Sequence, residues 1–261
     1  MSTTNRQFSL ALEALTELKV ETTSPLPAPV PVTPPLNQIL AEIGPLPREA
    51  LFLGVASDGL PVLLNLHDPV PGPILITSDA GAGKTSFLQT IVQSVIQTHK
   101  SSDVQFGIIT DHPDEWDGIE ETPHRVGIFS ASHNNAQDFL VSLAAWAHAS
   151  RSAKQSILLL IDGLEAIAKL DFDALQNLRW LLLRGPSRRV WPIVTMNAGR
   201  YGQVLSWIPN FRARIFGRIG DGRVAAALGG DNASALDTLE TGAQFSLREN
   251  GSWLRFWLPS C

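Results

Sequence analysis

Residues 74–92 read ILITSDAGAGKTSFLQTIV: an apolar run, a glycine-containing loop, then a helical pattern. Few folds accept that order. The octapeptide Ser78–Thr85 is a Walker A phosphate-binding loop, one residue off the usual G-x-x-x-x-G-K-[ST] because Ser78 stands at the first glycine. Glycine lets the backbone turn tightly and aim several N–H groups at phosphate oxygens. Lys84 is expected to reach the β- and γ-phosphates, and Thr85 to offer its hydroxyl to Mg²⁺. The helix that begins near Gly83 directs its positive end at the same anion. The predicted nucleotide site is therefore Asp79, Ala80, Gly81, Ala82, Gly83, Lys84, Thr85 and Ser86, with ATP and Mg²⁺ as the implied ligands. Ser78 is expected to lower affinity without abolishing the cradle.

Asp162 closes a second apolar run, ILLLI at 157–161. A carboxylate at the C-terminal end of a parallel strand lies where such sheets bind ligands, and this one is expected to hold the Mg²⁺ shell with Thr85. Hydrolysis also needs a group that orients and deprotonates water. The next residue is Gly163, so Glu165, and more weakly Asp111 after the neighbouring strand, are the candidates. Asn197 follows the strand at 190–196 and either senses the γ-phosphate or forms the turn before Gly199. The predicted catalytic set is Lys84, Asp162, Glu165 and Asn197.

The rest of the chain alternates strands and helices. Residues 51–66 read as a hairpin around Ser57-Asp58-Gly59. Strands are expected at 104–110, 125–129, 157–161, 190–196, 214–219, 243–247 and 252–258, and helices at 135–149, 175–183 and 222–228. Pro192 falls near the start of its strand, where a missing N–H is tolerated. The pattern predicts an α/β fold of RecA-like P-loop NTPase type. Its sheet would be mostly parallel and twisted, with helices on both faces and a small hairpin before the P-loop. Residues 1–20 are expected to form either an amphipathic helix, with Phe8, Ala11, Leu12, Leu15 and Leu18 on one face as a candidate docking element for a protein partner, or a frayed terminus. Residues 21–36 hold six prolines and read as an extended linker, and 37–261 is the catalytic domain.

Composition narrows the function classes. The single cysteine, Cys261, allows no disulfide framework within one chain, which suits a reducing cytoplasm. No apolar run approaches the ~18 residues of a membrane span. The six histidines lack metal-ligand spacing, and the acidic run Asp111, Asp114, Glu115, Asp117, Glu120, Glu121 lacks that of an EF-hand loop. The net charge of −5 is uneven: residues 1–150 carry −10 and 151–261 carry +5. Nine arginines lie from Arg179 to Arg223 with one acid, Asp221. They suit either double-stranded DNA or an acidic neighbouring subunit. Arginines 188, 189, 212, 214 and 218 are candidates for a finger reaching a neighbour's nucleotide. Trp253, Arg255 and Trp257 alternate on one strand face, expected to cover a helix or an edge.

The order of these motifs resembles the FtsK/HerA family of P-loop motors, which includes DNA translocases and the ATPase domains of type VII secretion. The resemblance covers roughly residues 51–258. LGVASDGLPVLLNL (53–66) is similar to the family's hairpin, 74–92 to its Walker A unit, and ILLLIDGLEAI (157–167) to its Walker B segment. Thr122-Pro123-His124 falls at its Pro-His pair, PIVTMN (192–197) at the strand ending Ala-Thr-Gln, RARIFGRIGDGRVAAALGG (212–230) at its late R-I-x-x-R-V strand and helix start, and Gly242 at a late glycine. Three positions depart from it: Gly163 replaces the Walker B glutamate, Asp111-His112-Pro113 replaces Asp-Pro-Lys, and Asn197 replaces the sensor glutamine. Neither a winged-helix DNA-reading domain nor a membrane anchor is recognised. The resemblance implies ATP hydrolysis coupled to translocation of DNA or another polymer by a homo-oligomeric ring such as a hexamer, with nucleotide between subunits. The departures also match degenerate secretion-motor domains, which imply a nucleotide-binding switch or scaffold with slow turnover.

Overall fold

The computed structural model describes residues 33–119, 121–149, 154–167, 170–230, 235–249 and 252–260. The expected amphipathic helix at 1–20, and the linker as far as Val32, lie outside the described residues. Helix α1 (Leu36–Ile43) opens the described part, and the hairpin follows as β1 (Ala50–Ala56) and β2 (Pro61–Asn65). The P-loop strand is β3 (Ile74–Ser78), continued by helix α2 (Lys84–Thr98). Next come β4 (Val104–Thr110), β5 (Arg125–Ser130), α3 (Asn134–Ala149), β6 (Ser156–Asp162), the short α4 (Leu164–Ile167) and α5 (Phe172–Arg184). The chain ends with β7 (Val190–Asn197), β8 (Ala213–Phe216), α6 (Gly222–Gly229), β9 (Gln244–Glu249) and β10 (Ser252–Trp257).

All strands join one sheet in the order β2-β1-β10-β9-β8-β3-β7-β6-β4-β5. From β8 to β5 every pairing is parallel. The remaining pairings, which attach the hairpin and the C-terminal strands, are antiparallel. The parallel strands are nearly continuous in Val, Ile and Leu because helices cover both faces, so neither pleat face meets water. Alternate residues feed opposite cores. Leu75, Leu159, Ile161 and Val194 pack with α3, α5 and α6. Ile74, Ile76, Leu158, Leu160 and Ile193 pack with Phe87, Leu88, Ile91, Val92 and Val95 of α2. Each fully buried side chain of this size contributes about 1.5–3 kcal/mol, so α2 is held chiefly by its apolar face. Pro192 sits one residue before β7 begins pairing with β3 at Ile74–Ile193, so that ladder loses no donor there.

The order places β7 between the P-loop strand β3 and the Asp162 strand β6. Ser78 lies opposite Asn197, and Thr110 opposite Asp162. The C-terminal ends of β3, β7 and β6 therefore converge on one rim of the sheet. Crevices at such a rim, where connections leave toward opposite faces, are the usual ligand sites of α/β folds.

Candidate functional site: the P-loop rim

The loop from Asp79 to Gly83 owes its shape to two left-handed glycines, Gly81 at φ +69° and Gly83 at φ +85°. Gly83 is doubly constrained, since a Cβ there would lie 2.6 Å from the Cα of Gly242. Ser78 is different. It is the last residue of a strand, its φ is not positive, and it is fully buried. Replacing the motif's first glycine therefore imposes no backbone strain. Asp79 anchors the loop: its N–H donates to the Arg218 carbonyl at 2.9 Å, and its Oδ2 accepts the Gly220 N–H at 2.7 Å. No side chain caps α2 at Gly83, and its first turn carries no acid. Its leading N–H groups thus face the loop cavity, an arrangement suited to an anion.

Lys84 is half-buried and folds over the loop. Its Nζ donates to the carbonyls of Asp79 at 2.7 Å and Ser78 at 3.2 Å. Burial pulls its ammonium below the usual lysine value, and the carboxylates of Glu165, Asp162 and Asp79 oppose that shift. Thr85 Oγ1 donates to Asp162 Oδ2 at 2.8 Å. A hydroxyl and a carboxylate this close form a hard-oxygen pair of the type that Mg²⁺ prefers, so the donor set fits the implied ion. Among the described residues no cluster of three His, Cys, Asp or Glu offers a further metal site.

Glu165 is buried in the first turn of α4, and its Oε1 accepts the Asn197 N–H at 2.7 Å. Gly163, at φ +105°, lets the chain reverse after Asp162 so that a carboxylate three residues on returns to the rim. The Asn197 Oδ1 accepts the Gly199 N–H at 3.0 Å, the turn-forming alternative, which leaves Nδ2 as its polar group for a phosphate. Asp111 is exposed in the turn after β4.

Thr195 escaped the sequence reading. Its Oγ1 donates to Asp162 Oδ1 at 2.8 Å and accepts the Gly163 N–H at 2.8 Å. Its position four residues before Gly199 on a predicted strand carried no signal, because the register of β6 against β7 is not readable from one chain.

The arginine run does not make one face. Arg188, Arg189 and Arg212 precede β7 and β8, at the end of the sheet away from the P-loop. Arg189 donates to the Leu66 carbonyl. Arg214 reaches the Phe211, Leu228 and Ile208 carbonyls, and burial with nearby Arg248 lowers its pKa. Arg179 covers the Trp207 ring at 5.0 Å. The finger candidates Arg189 and Arg214 are thus committed to their own chain. Arg200, Arg218 and Arg223 are exposed and follow the C-terminal ends of β7 and β8, on the P-loop side. Trp253 packs on Phe216 of β8 at 5.3 Å, and Arg255 reaches the Ala235 carbonyl, so these side chains are engaged within their own domain.

A strand, P-loop and helix with Lys84 over the loop, and Thr85 bonded to a strand-end aspartate across an inserted strand, define a P-loop NTPase fold. Comparison with solved structures refines this. ATPases 2 and 3 of EccC from Thermomonospora curvata, solved with a signal sequence peptide, superpose with a TM-score of 0.70 over 89% of this chain at 16% identity. ATPases 2 and 3 of EssC from Geobacillus thermodenitrificans give 0.73 over 90% at 14% identity. The pCW3 conjugation coupling protein TcpA, solved as a monomer with ATPγS, gives 0.64 over 88% at 15% identity. This chain spans 44%, 48% and 71% of those three chains, respectively. No family model and no curated protein matches the sequence. The chain therefore has the fold that these ATPase domains share, with the RecA-like P-loop α/β architecture expected. No described helix is long and apolar enough to cross a membrane.

Proposed function

We propose that this chain binds Mg²⁺·ATP at the P-loop rim and hydrolyses it as a motor domain that moves DNA or another polymer in a homo-oligomeric ring. The observation that carries the reading is the 2.8 Å bond between Thr85 and Asp162 beside Lys84. In this account the 79–83 backbone and the start of α2 cradle the phosphates. Lys84 would leave the loop carbonyls to neutralise the β- and γ-phosphates, and Thr85 and Asp162 would hold Mg²⁺, whose charge would offset that developing on the phosphoryl oxygens. Glu165 takes the proton from the attacking water, standing in for a carboxylate directly after Asp162. The Asn197 Nδ2 reports the γ-phosphate. An exposed arginine among Arg200, Arg218 and Arg223 then reaches a neighbour's nucleotide. Structural relatives that include a conjugation coupling protein support a polymer as cargo.

One observation favours a second reading, a nucleotide-gated switch with slow turnover. The Glu165 carboxylate is buried and its Oε1 already accepts the Asn197 N–H, which leaves one oxygen to meet an attacking water. Single-turnover hydrolysis by the wild-type chain and by Glu165→Gln separates the two. A loss of ~10²-fold or more supports Glu165 as the base, whereas equal slow rates support the switch.

A further inference from the structure

We infer that Thr195 is a positioning residue that orients the Asp162 carboxylate for Mg²⁺, an inference that rests on the proposed nucleotide site. The Thr195 side chain is buried two residues before the C-terminal end of β7. A hydroxyl has one proton, and its use is decided here by what the oxygen accepts. The Gly163 N–H is a donor only, so Thr195 Oγ1 must accept from it at 2.8 Å. The hydroxyl proton is then committed to Asp162 Oδ1, also at 2.8 Å. With Oδ1 pinned, the second oxygen is held toward Thr85, which meets it at 2.8 Å. A carboxylate is otherwise free to rotate about its terminal torsion, whose energy profile is broad. The Gly163–Thr195–Asp162–Thr85 chain removes that freedom before any ion arrives.

The same strand also holds the second carboxylate. Side chains at 195 and 197 share one face of β7, and the Asn197 N–H binds Glu165 at 2.7 Å. By accepting the Gly163 N–H, Thr195 further fixes the residue from which α4 and Glu165 depart. Thus β7 is the template for both acids, one through a side chain and one through the backbone. Such outer-shell partners set metal affinity without touching the metal.

The test is the Mg²⁺ dependence of binding of a fluorescent ATP analogue, measured on the full chain alongside its thermal melting. Thr195→Val keeps the branched shape and removes the hydroxyl. Thr195→Ser keeps the hydroxyl, and Thr195→Ala serves if the valine protein does not fold. We expect Thr195→Val to raise the half-saturating Mg²⁺ concentration ~10-fold or more. Analogue binding in chelator should stay unchanged, and Thr195→Ser should restore the wild-type dependence. An unchanged Mg²⁺ dependence in a folded valine or alanine protein, with the wild type binding normally, overturns the inference alone. Failure of the wild type to bind the analogue with Mg²⁺ overturns it together with the proposed site.

Discussion

At the scale of single residues, the site is held by contacts whose partners are far apart in the chain. Gly83 is the sharpest case, because its left-handed φ and the Gly242 backbone 2.6 Å from a would-be Cβ act together. Gly83→Ala should destabilise the fold by roughly 1–3 kcal/mol from backbone strain alone and abolish nucleotide binding. Chemical unfolding and a nucleotide titration check both, and a stable variant that binds as the wild type would contradict the cradle geometry. A second residue-scale prediction concerns His99 and His124. Burial lowers the pKa of each, and for His99 Asp103 opposes the shift while His124 adds to it. The Nε2 of His124 lies 3.0 Å from the His99 carbonyl, and the buried Nε2 of His99 meets no hydrogen-bond partner among the described residues. Depressed folded-state values mean that the unfolded chain binds more protons below the ordinary histidine pKa of about 6.5. Stability is therefore full above that value and falls as pH drops through the lowered folded values. Melting temperature should decline as pH falls below the ordinary histidine value of about 6.5, and a His99→Gln/His124→Gln protein should decline less. Equal slopes would exclude these two as the cause.

At the scale of elements, much was legible in advance because the signals are local. The P-loop strand and helix, the ILLLI strand and Asp162 carry their identity in sequence spacing, and the fold brings Thr85 and Asp162 to 2.8 Å. The hairpin at 51–66, the helix at 135–149 and the strand at 104–110 also form within a residue or two of their predicted bounds. What stayed hidden is neighbour relations. Nothing in the alternation of β9 and β10 announces that they wedge between the hairpin and β8, because an antiparallel strand reads alike whatever it pairs with. The roles of Thr195 and of the Asp79–Gly220 contact were invisible for the same reason. Dispersal of the arginine run follows too, since successive loops alternate between the two ends of a parallel sheet. The hairpin's attachment offers a test. A Cβ at Gly54 would lie 2.6 Å from both the Phe256 ring and the Trp257 carbonyl. Gly54→Ala should therefore cost about 1–3 kcal/mol by overpacking, read by urea unfolding, and loss of less than a few tenths would mean that β1 and β10 are not in this contact.

At the scale of the whole molecule, the uneven charge matters more than the net −5. Arg200, Arg218 and Arg223 stand exposed on the P-loop side, where a polymer moved by nucleotide turnover would be felt. If that polymer is duplex DNA, binding should weaken steeply with salt, and each lost phosphate contact should reduce the log–log slope by about 0.9. Charge reversal of these three arginines should flatten the slope and remove any DNA stimulation, whereas reversal of Arg188 and Arg212 at the other end should not. DNA binding that ignores all five would point to a different cargo. The central claim, Mg²⁺·ATP turnover at the P-loop rim, is tested most directly by steady-state ATP hydrolysis of the chain and of Lys84→Ala, with and without long duplex DNA. The account predicts Mg²⁺-dependent turnover that vanishes in Lys84→Ala and rises with DNA. Turnover that survives Lys84→Ala would contradict it.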